Sequence, residues 1–302
     1  MVRLLVSPAF LGLFLLLTGT PAGALGFGDL RPTAEETAWR DARAKAGLPL
    51  KAATISIVGT FDQRPDGTRA GLDWDLVKDF AATLGLTVEV TVPKNLGSFF
   101  SRDGKMPTDV ETDETLVYTP DQLKTVDLYI GPFTILPWRE RLMTMVPLYP
   151  MQNFLVGRKG EELKNLSQLR GKRIVVLQGA MQANLLKGLE DKMHLGLKMV
   201  YAISGTDLLA EVSSGRADYT LEGTLFFAQY RKAMRELSVS AFPSDPVRVG
   251  WAVKKQDGPL ASLVTKYFAK IQSDGSFGRW FESNFGTEFP DYLALLANAA
   301  AP

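Results

Sequence analysis

Short apolar strands alternate with amphipathic helices along most of this chain, and this alternation restricts the possible fold more than any other feature. From residue 53 the order is a strand, "ATISIVG", a helix, "DWDLVKDFAATLG", and a second strand, "TVEVTV". The apolar residues of the helix fall on one face, namely Leu76, Val77, Phe80, Ala81 and Leu84. Strand, helix and strand in this order predict a parallel sheet with helical crossovers.

A second set of alternating elements begins at Gly160. Its predicted helices are "EELKNLSQLRG", "GAMQANLLKGLED", "GTDLLAEVSSG" and "GTLFFAQYRKAMREL", and its predicted strands are "KRIVVL", "LKMVYAI", "ADYTLE" and "SVSAF". A final strand, "VRVGWAVKK", and closing helices within residues 259–285 follow. The pattern predicts an α/β protein with two lobes. One lobe takes residues 25–150 and 247–302, the other takes residues 151–246, and two crossover strands form the hinge.

Composition excludes several classes of site. The 34 Lys and Arg residues balance 33 Asp and Glu residues without a basic stripe, which disfavours nucleic acid and anionic membranes as partners. There is no cysteine, and the single histidine is His194 in a polar run. Thiolate catalysis, Ser–His catalysis and histidine-rich metal sites are therefore not supported, and we expect no cofactor and no metal.

The first residues have the composition of an export signal. "MVRLLVSPAFLGLFLLLTGTPAGA" places one basic residue, Arg3, before an apolar stretch that ends near Leu17, and small residues follow. This pattern predicts a signal peptide over residues 1–24, cut after Ala24. The apolar stretch is shorter than the roughly 20 residues of a membrane-spanning helix. We expect a monomeric mature chain in the periplasm, without a membrane anchor.

The strand "DLYIGPFTIL" ends in proline, tryptophan and arginine, and this junction is the main candidate site. Arg139 lies where a helix begins after Pro137, so it is either an anion-binding residue or a surface ion pair. Arg141, two residues further on, is expected on another helix face, and its replacement is expected to be nearly silent in ligand binding. Trp138 and Trp74 are candidate aromatic walls or packing residues.

Two further candidates lie in the second set of elements. Glu222 at a strand end is a ligand contact, an acid catalyst or a solvated charge. Met181 and Gln182 follow a predicted turn and either line a pocket or pack in the core. The sequence leaves these alternatives open.

Five phrases, in order and spacing, resemble the family 3 extracellular solute-binding proteins of the amino-acid type. They are "GLDWDLVKDFAATLGL", "FTILPWRERLMTMVPLY", "LRGKRIVVLQGA", "SSGRADYTLEG" and "SDGSFGRWFESNFG". The stretches "GLDWDL…NLGSFF" and "GRADYTLEGTLFFAQYR" also look like the binding domain of membrane-bound lytic murein transglycosylase F. The resemblance covers about residues 52–286 and implies a two-lobed periplasmic-binding-protein type II fold, with two mixed sheets and helices on both faces.

The resemblance also implies a ligand site between the lobes. Arg139 matches the arginine that binds a ligand carboxylate, Thr134 a neighbouring contact, and Phe61 an aromatic wall. Gly179 and Ala180 match a turn of the second lobe whose amides meet the same carboxylate.

The chain departs from the family pattern at three positions. Ala180 replaces a usual hydroxyl residue, Leu136 replaces a usual Thr or Ser, and Gly223 replaces the aspartate that binds an α-ammonium group. The resemblance therefore implies a small, carboxylate-bearing, amino-acid-like ligand, without identifying it as a standard α-amino acid.

Three functions are consistent with these observations. The leading prediction is a non-enzymatic solute-binding protein that delivers its ligand to an inner-membrane ABC permease or to a sensor. The first alternative is a cleft enzyme of the cyclohexadienyl dehydratase type, with Glu222 as its acid. The second alternative is a regulatory module associated with the cell wall.

Overall fold

The computed structural model describes residues 31–57, 59–64, 66–93, 95–177, 181–202, 208–225, 234–240 and 246–299. The strands in chain order are β1 Leu50–Ala53, β2 Asp62–Gln63, β3 Arg69–Ala70, β4 Val88–Thr91, β5 Leu128–Thr134, β6 Met143–Met151, β7 Asn153–Arg158, β8 Arg173–Leu177, β9 Lys198–Ala202, β10 Tyr219–Gly223, β11 Leu237–Val239 and β12 Val247–Lys254.

The helices, again in chain order, are α1 Ala34–Lys45, α2 Leu72–Thr83, α3 Asp121–Thr125, α4 Pro137–Leu142, α5 Met181–Met193, α6 Leu208–Ser213, α7 Gly258–Ser273, α8 Ser276–Phe285 and α9 Phe289–Ala299. Two short 3₁₀ helices span Leu96–Phe100 and Leu166–Leu169.

Ten of these strands form two mixed sheets of five. The first sheet has the order β4-β1-β5-β12-β6, and the second has the order β11-β7-β10-β8-β9. In the first sheet β1 runs parallel to β4 and β5, whereas β12 is antiparallel to β5 and β6. The chain changes sheet at Gln152, between the end of β6 and the start of β7. All strands of the second sheet therefore lie between two parts of the first sheet along the chain.

Prolines mark the irregular places in the first sheet. The pairing of β12 with β6 shifts next to Pro147, where a Cβ on the opposite Gly250 would meet the carbonyl of Val146. Proline cannot donate to a sheet ladder, and it is tolerated on an edge strand such as β6. Glycine at position 250 lets the two backbones approach closely at this bulge.

The core of the first sheet has two apolar clusters. One contains Trp251, Phe80 and Phe281 and is covered by α2, α7, α8 and α9. The other contains Phe99, Phe100, Tyr129, Phe133 and Trp138. Two ring pairs of the second cluster pack edge to face, with Phe99 and Tyr129 centroids 4.9 Å apart and Phe100 and Trp138 centroids 4.8 Å apart.

The polar segment 101–126 packs against this aromatic cluster. Val110 is buried in it, and the Tyr118 hydroxyl donates to the carbonyl of Phe100 at 2.7 Å. The Arg141 guanidinium donates to the carbonyls of Val110 and Asp113, both at 2.9 Å. Arg141 thus anchors the segment, so its replacement should affect stability, while its silence in ligand binding stays a prediction.

Several predicted elements differ from the observed ones. The helix predicted over 161–171 is wrong, since only Leu166–Leu169 forms a single 3₁₀ turn. The Asn165 side chain accepts from the Ser167 backbone N–H and caps that turn, which prevents an earlier helix start. The first strand begins at Leu50, three residues before its predicted start. No element was predicted after residue 285, where helix α9 forms and buries Tyr292 and Leu296.

Other predicted elements are confirmed. The stretch "RPTAEETAWRDARAKAGLP" predicts a short helix capped near Thr33. Helix α1 forms there, capped by reciprocal bonds between the Thr33 and Glu36 side chains and backbone N–H groups. Helix α2 and strands β4 and β12 lie where their periodicity indicated.

Candidate functional site

The main candidate site lies where β5 ends and α4 begins. Thr134 is the last residue of β5, and Pro137 is the first residue of α4, where its missing N–H leaves no bond unmade. The turn directs Trp138 and Arg139 inwards, and these side chains are 6% and 7% exposed. A charged side chain so deeply buried requires compensation from its surroundings.

The surroundings of Arg139 compensate its charge only in part. Nη1 donates to the carbonyl of Thr134 at 2.9 Å, and Nε has no hydrogen-bond partner. The guanidinium lies over the rings of Phe100 and Trp138, with Cζ 4.7 Å and 5.0 Å from their centroids. Among the residues that the structure describes, no carboxylate lies within 4 Å of Arg139.

Burial has an electrostatic consequence at this arginine. Loss of hydration lowers the pKa of Arg139 to about 10, and the charge of Glu111 opposes that shift. The group stays protonated at neutral pH, so it is a buried cation whose opposing charge in the described chain, that of Glu111, acts only from beyond 4 Å. An anion with two oxygens is the chemical group that satisfies such a planar donor.

The predicted aromatic walls lie around helix α2. Phe61 is fully buried and packs edge to face on Trp74, with centroids 6.2 Å apart. Trp74 is half-buried, and the charged groups of Arg69 and Lys78 each lie 5.3 Å from its ring. Of this pair only Trp74 has surface to offer a ligand.

Glu222 is the second unusual charged group. It lies in β10 opposite Phe154 of β7, it is buried, and its carboxyl has no hydrogen-bond partner among the residues that the structure describes. Loss of hydration raises the pKa of Glu222 to about 8, so the neutral acid predominates at pH 7. A neutral carboxylic acid can donate a hydrogen bond or a proton.

The remaining predicted residues lie near the start of α5. Met181 is its first residue and is half-buried. Next to it, Gln182 Nε2 donates to Oδ1 of Asn153, the first residue of β7, at 2.9 Å. Gly179 and Ala180 lie outside the described residues.

The structure thus brings Arg139 together with Thr134, and Phe61 together with Trp74. Sequence reasoning missed Phe100 and Asn153. The pair "FF" before a long polar segment was a signal for Phe100, and an asparagine heading the apolar run "NFLVG" was a signal for Asn153.

Other features of the described chain offer no competing site. A surface pocket of about 620 Å³ borders Arg158, Glu161, Asp218 and Tyr219. Three of its charged groups are already paired, since Arg158 binds Glu161 at 2.8 Å and Asp218 binds Arg173 at 2.7 Å. Three or more metal-ligating side chains do not cluster in the described ranges, and no helix there has the length and apolarity to cross a membrane.

Comparison with known sequences finds relatives named membrane-bound lytic murein transglycosylase F. No protein-family model matches this chain. Membrane-bound lytic murein transglycosylase F of Sodalis glossinidius is 26% identical over 263 residues, which cover 82% of this chain and 51% of that protein. Its counterpart in Yersinia enterocolitica is 27% identical over 248 residues, covering 81% and 47%. The chain therefore spans about half the length of the curated relatives it matches.

Comparison with solved structures identifies the architecture. A mutant of ArgBP from T. maritima superposes with a TM-score of 0.63 at 19% identity, over 82% of this chain and 99% of that one. An ancestral amino acid-binding protein, described as a precursor of cyclohexadienyl dehydratase, gives 0.62 at 20% identity, over 82% and 99%. An ancestral arginine-binding protein bound to arginine gives 0.61 at 21% identity, over 79% and 98%.

The chain has the two-lobed type II fold of the family 3 solute-binding proteins. At these identities the likeness establishes the fold alone. It confirms the predicted fold class with its two mixed sheets.

Proposed function

We propose that the chain is an exported solute-binding protein that captures a small, carboxylate-bearing ligand between its two lobes. The observation that carries the proposal is Arg139, a buried cation that follows a sheet strand and has no carboxylate within 4 Å in the described ranges. A ligand carboxylate would supply the missing charge, and closure of the lobes would exclude water from the pair.

The comparisons support this reading at a coarser level. Solved structures with this fold include proteins named for binding amino acids or arginine. One is the substrate-binding domain of a putative amino acid ABC transporter of Streptococcus pneumoniae, with a TM-score of 0.54 at 17% identity. Delivery of the ligand to an ABC permease or to a sensor is the corresponding proposal for this chain.

The lobe boundaries and the location of the protein belong to the same proposal. We assign residues 25–150 and 247–302 to one lobe and residues 151–246 to the other, in agreement with the membership of the strands in the two sheets. Residues 1–24 would act as the signal for export to the periplasm, and they lie outside the described residues.

Two other functions each have one observation in their favour. Glu222, a buried acid with a pKa of about 8, favours a cleft enzyme of the dehydratase type. The relation to transglycosylase F favours a module that binds fragments of the cell wall. Each would use the same space between the lobes.

A thermal-shift screen of residues 25–302 separates these functions. The panel contains amino acids, dicarboxylates, peptides and muropeptide fragments, with prephenate added to test dehydration. A ligand at 100 times its dissociation constant stabilises the folded state by about 2.7 kcal/mol, which raises the melting temperature by several degrees. A shift with muropeptides alone would favour the cell-wall module, and product formation from prephenate would favour the enzyme.

Two arginine variants then test the site with the ligand found. Arg139→Met removes a buried charge but keeps an apolar side chain between Phe100 and Trp138. We expect binding at least 30-fold weaker, because truncating one side of a buried ion pair costs about 2–5 kcal/mol. We expect a melting temperature at or above that of the wild type, since an unpaired buried charge is unfavourable. Arg139→Lys should restore binding only in part.

The matched control is Arg43→Met. Arg43 is also largely buried, but it has a carboxylate partner, Asp127, at 2.6 Å. Its replacement should lower the melting temperature and leave ligand affinity unchanged. Wild-type affinity in Arg139→Met, measured by calorimetry, would show that this arginine is structural and would refute the proposed site.

A further inference from the structure

A buried chain of hydrogen bonds connects the C-terminal helix to the place where the chain passes from one sheet to the other. The Tyr292 hydroxyl lies 2.8 Å from the carbonyl oxygen of Pro150 and 2.8 Å from Thr224 Oγ1. The Thr224 hydroxyl in turn lies 3.2 Å from the backbone nitrogen of Gln152. Tyr292 and Thr224 are both fully buried.

Donor and acceptor rules fix the direction of this chain. A backbone carbonyl can only accept, so the single proton of the Tyr292 hydroxyl is donated to Pro150. Thr224 must then donate its hydroxyl proton to Tyr292, and it accepts from the Gln152 N–H. The order is Gln152 N–H to Thr224 to Tyr292 to the Pro150 carbonyl, with each hydroxyl used once as donor and once as acceptor.

The two ends of this series of hydrogen bonds lie on either side of one residue. Pro150 and Gln152 flank Met151, the last residue of β6, and β7 of the second sheet starts at Asn153. The Thr224 N–H also donates to the carbonyl of Gln152 at 2.8 Å, so Thr224 holds both backbone groups of that residue. Next to it, Leu225 packs into the apolar core of the first sheet together with Tyr292.

We propose that Tyr292 locks the first crossover between the sheets, so that the C-terminal helix controls how easily the two lobes rotate. Hinge motions are absorbed by the backbone dihedral angles of a few residues between the moving bodies. Rotation about Met151 changes the separation of Pro150 and Gln152. The series of hydrogen bonds resists this rotation because it connects both residues to Tyr292. Breaking these hydrogen bonds would leave buried polar groups without partners, which opposes the motion.

Amide hydrogen exchange in the ligand-free protein tests the lock. Tyr292→Phe removes only the hydroxyl and keeps the ring contacts with Phe281 and Phe289, whose centroids lie 5.0 Å and 6.0 Å away. We expect the Gln152 amide, observed by NMR, to exchange roughly tenfold faster, as the loss of one or two buried hydrogen bonds would produce. Thr224→Val should give the same acceleration, and the double variant no more than either single one.

The matched control is Tyr267→Phe. The Tyr267 hydroxyl also donates to a buried carbonyl, that of Leu76 at 3.0 Å, but both residues lie in helices of the first lobe. It should leave exchange at Gln152 unchanged. Wild-type exchange at Gln152 in Tyr292→Phe, or equal acceleration in Tyr267→Phe, would overturn the proposal. Because no ligand is used, this result is independent of the carboxylate site at Arg139.

Discussion

At the scale of single residues, the identity of a candidate can be predicted better than its surroundings. Arg139 follows a strand end and Pro137, and both signals are local in sequence. The burial of Arg139 does not follow from local sequence, because the ring of Phe100, 39 positions earlier in the chain, covers the guanidinium. Only the packing of the aromatic cluster turns a strand-end arginine into a desolvated cation.

Asp73 is a buried acid that sequence reasoning did not single out. It lies in the first turn of α2, and its side chain is 2% exposed. One oxygen accepts from Trp251 Nε1 at 3.0 Å, and Oδ2 has no hydrogen-bond partner. Loss of hydration raises the pKa of Asp73 to about 7, and the bond from Trp251 opposes this shift.

This pKa predicts a stability that falls as pH rises. Below about pH 4 the carboxyl is protonated in both the folded and the unfolded chain. Between about pH 4 and 7 the folded state binds more protons than the unfolded state, so the free energy of unfolding decreases with pH. Glu222 acts in the same direction up to about pH 8. We expect a melting temperature several degrees higher at pH 5 than at pH 8.

Asp73→Asn should reduce the slope of the melting temperature against pH. The slope that remains is expected from the titration of Glu222. The control is Asp103→Asn, at a side chain that is 87% exposed, which should keep the wild-type slope. Scanning fluorimetry from pH 4 to 9 measures both. Equal slopes in the wild type and Asp73→Asn would show that Asp73 is already ionised when folded.

At the scale of elements, strongly periodic segments were predictable and capped turns were not. Helix α2 and strand β12 each have a regular apolar pattern and lie where that pattern indicated. The segment 161–171 also contains leucines at helical spacing, but the Asn165 side chain binds the backbone locally and limits the helix to one turn. Local side-chain bonds of this kind compete with periodicity.

The polar segment 101–126 provides an element-scale prediction. Arg141→Ala removes both bonds to the carbonyls of Val110 and Asp113, so the segment should detach more often from the aromatic cluster. We expect faster hydrogen exchange and faster limited proteolysis within residues 109–116. The free energy of unfolding should fall by about 1–3 kcal/mol, the usual range for hydrogen bonds from a charged group.

Arg64→Ala is the control for this prediction. Arg64 is 61% exposed, and its nearest carboxylate, Asp62, lies at 3.9 Å, so its removal should have little effect. Equal proteolysis of segment 101–126 in both variants would mean that Val110 and Tyr118, rather than Arg141, hold the segment in place.

At the scale of the whole molecule, the two-lobed fold followed from the order of elements and from the resemblance. The sequence pattern predicted β12 as a late strand. It did not predict that this strand lies between β5 and β6 in the first sheet. That position depends on long-range pairing, which local patterns do not encode.

Export is a prediction for the whole chain. Expressed at full length in a bacterium with a periplasm, the protein should be recovered there with Leu25 as its first residue, as measured by intact-mass spectrometry. Ala24→Arg should block processing, because the cleavage site requires small residues. Recovery of an uncleaved, membrane-associated wild-type chain would contradict this prediction.

The position of β12 also determines the order in which the molecule can be assembled. A chain that emerges from its N-terminus completes the strands of the second sheet by Val239, while the first sheet still lacks a central strand. Until Lys254 has emerged, β6 has no neighbour in the described sheet, because it pairs with β12 alone.

An unpaired apolar strand of a nascent chain is a template for aggregation. Strand β6 carries Pro147 and Pro150, which have no N–H to offer a foreign strand. These prolines would limit aggregation at the unpaired edge of β6 until β12 has been synthesised. Without them, holdase chaperones would have to shield this edge during that interval.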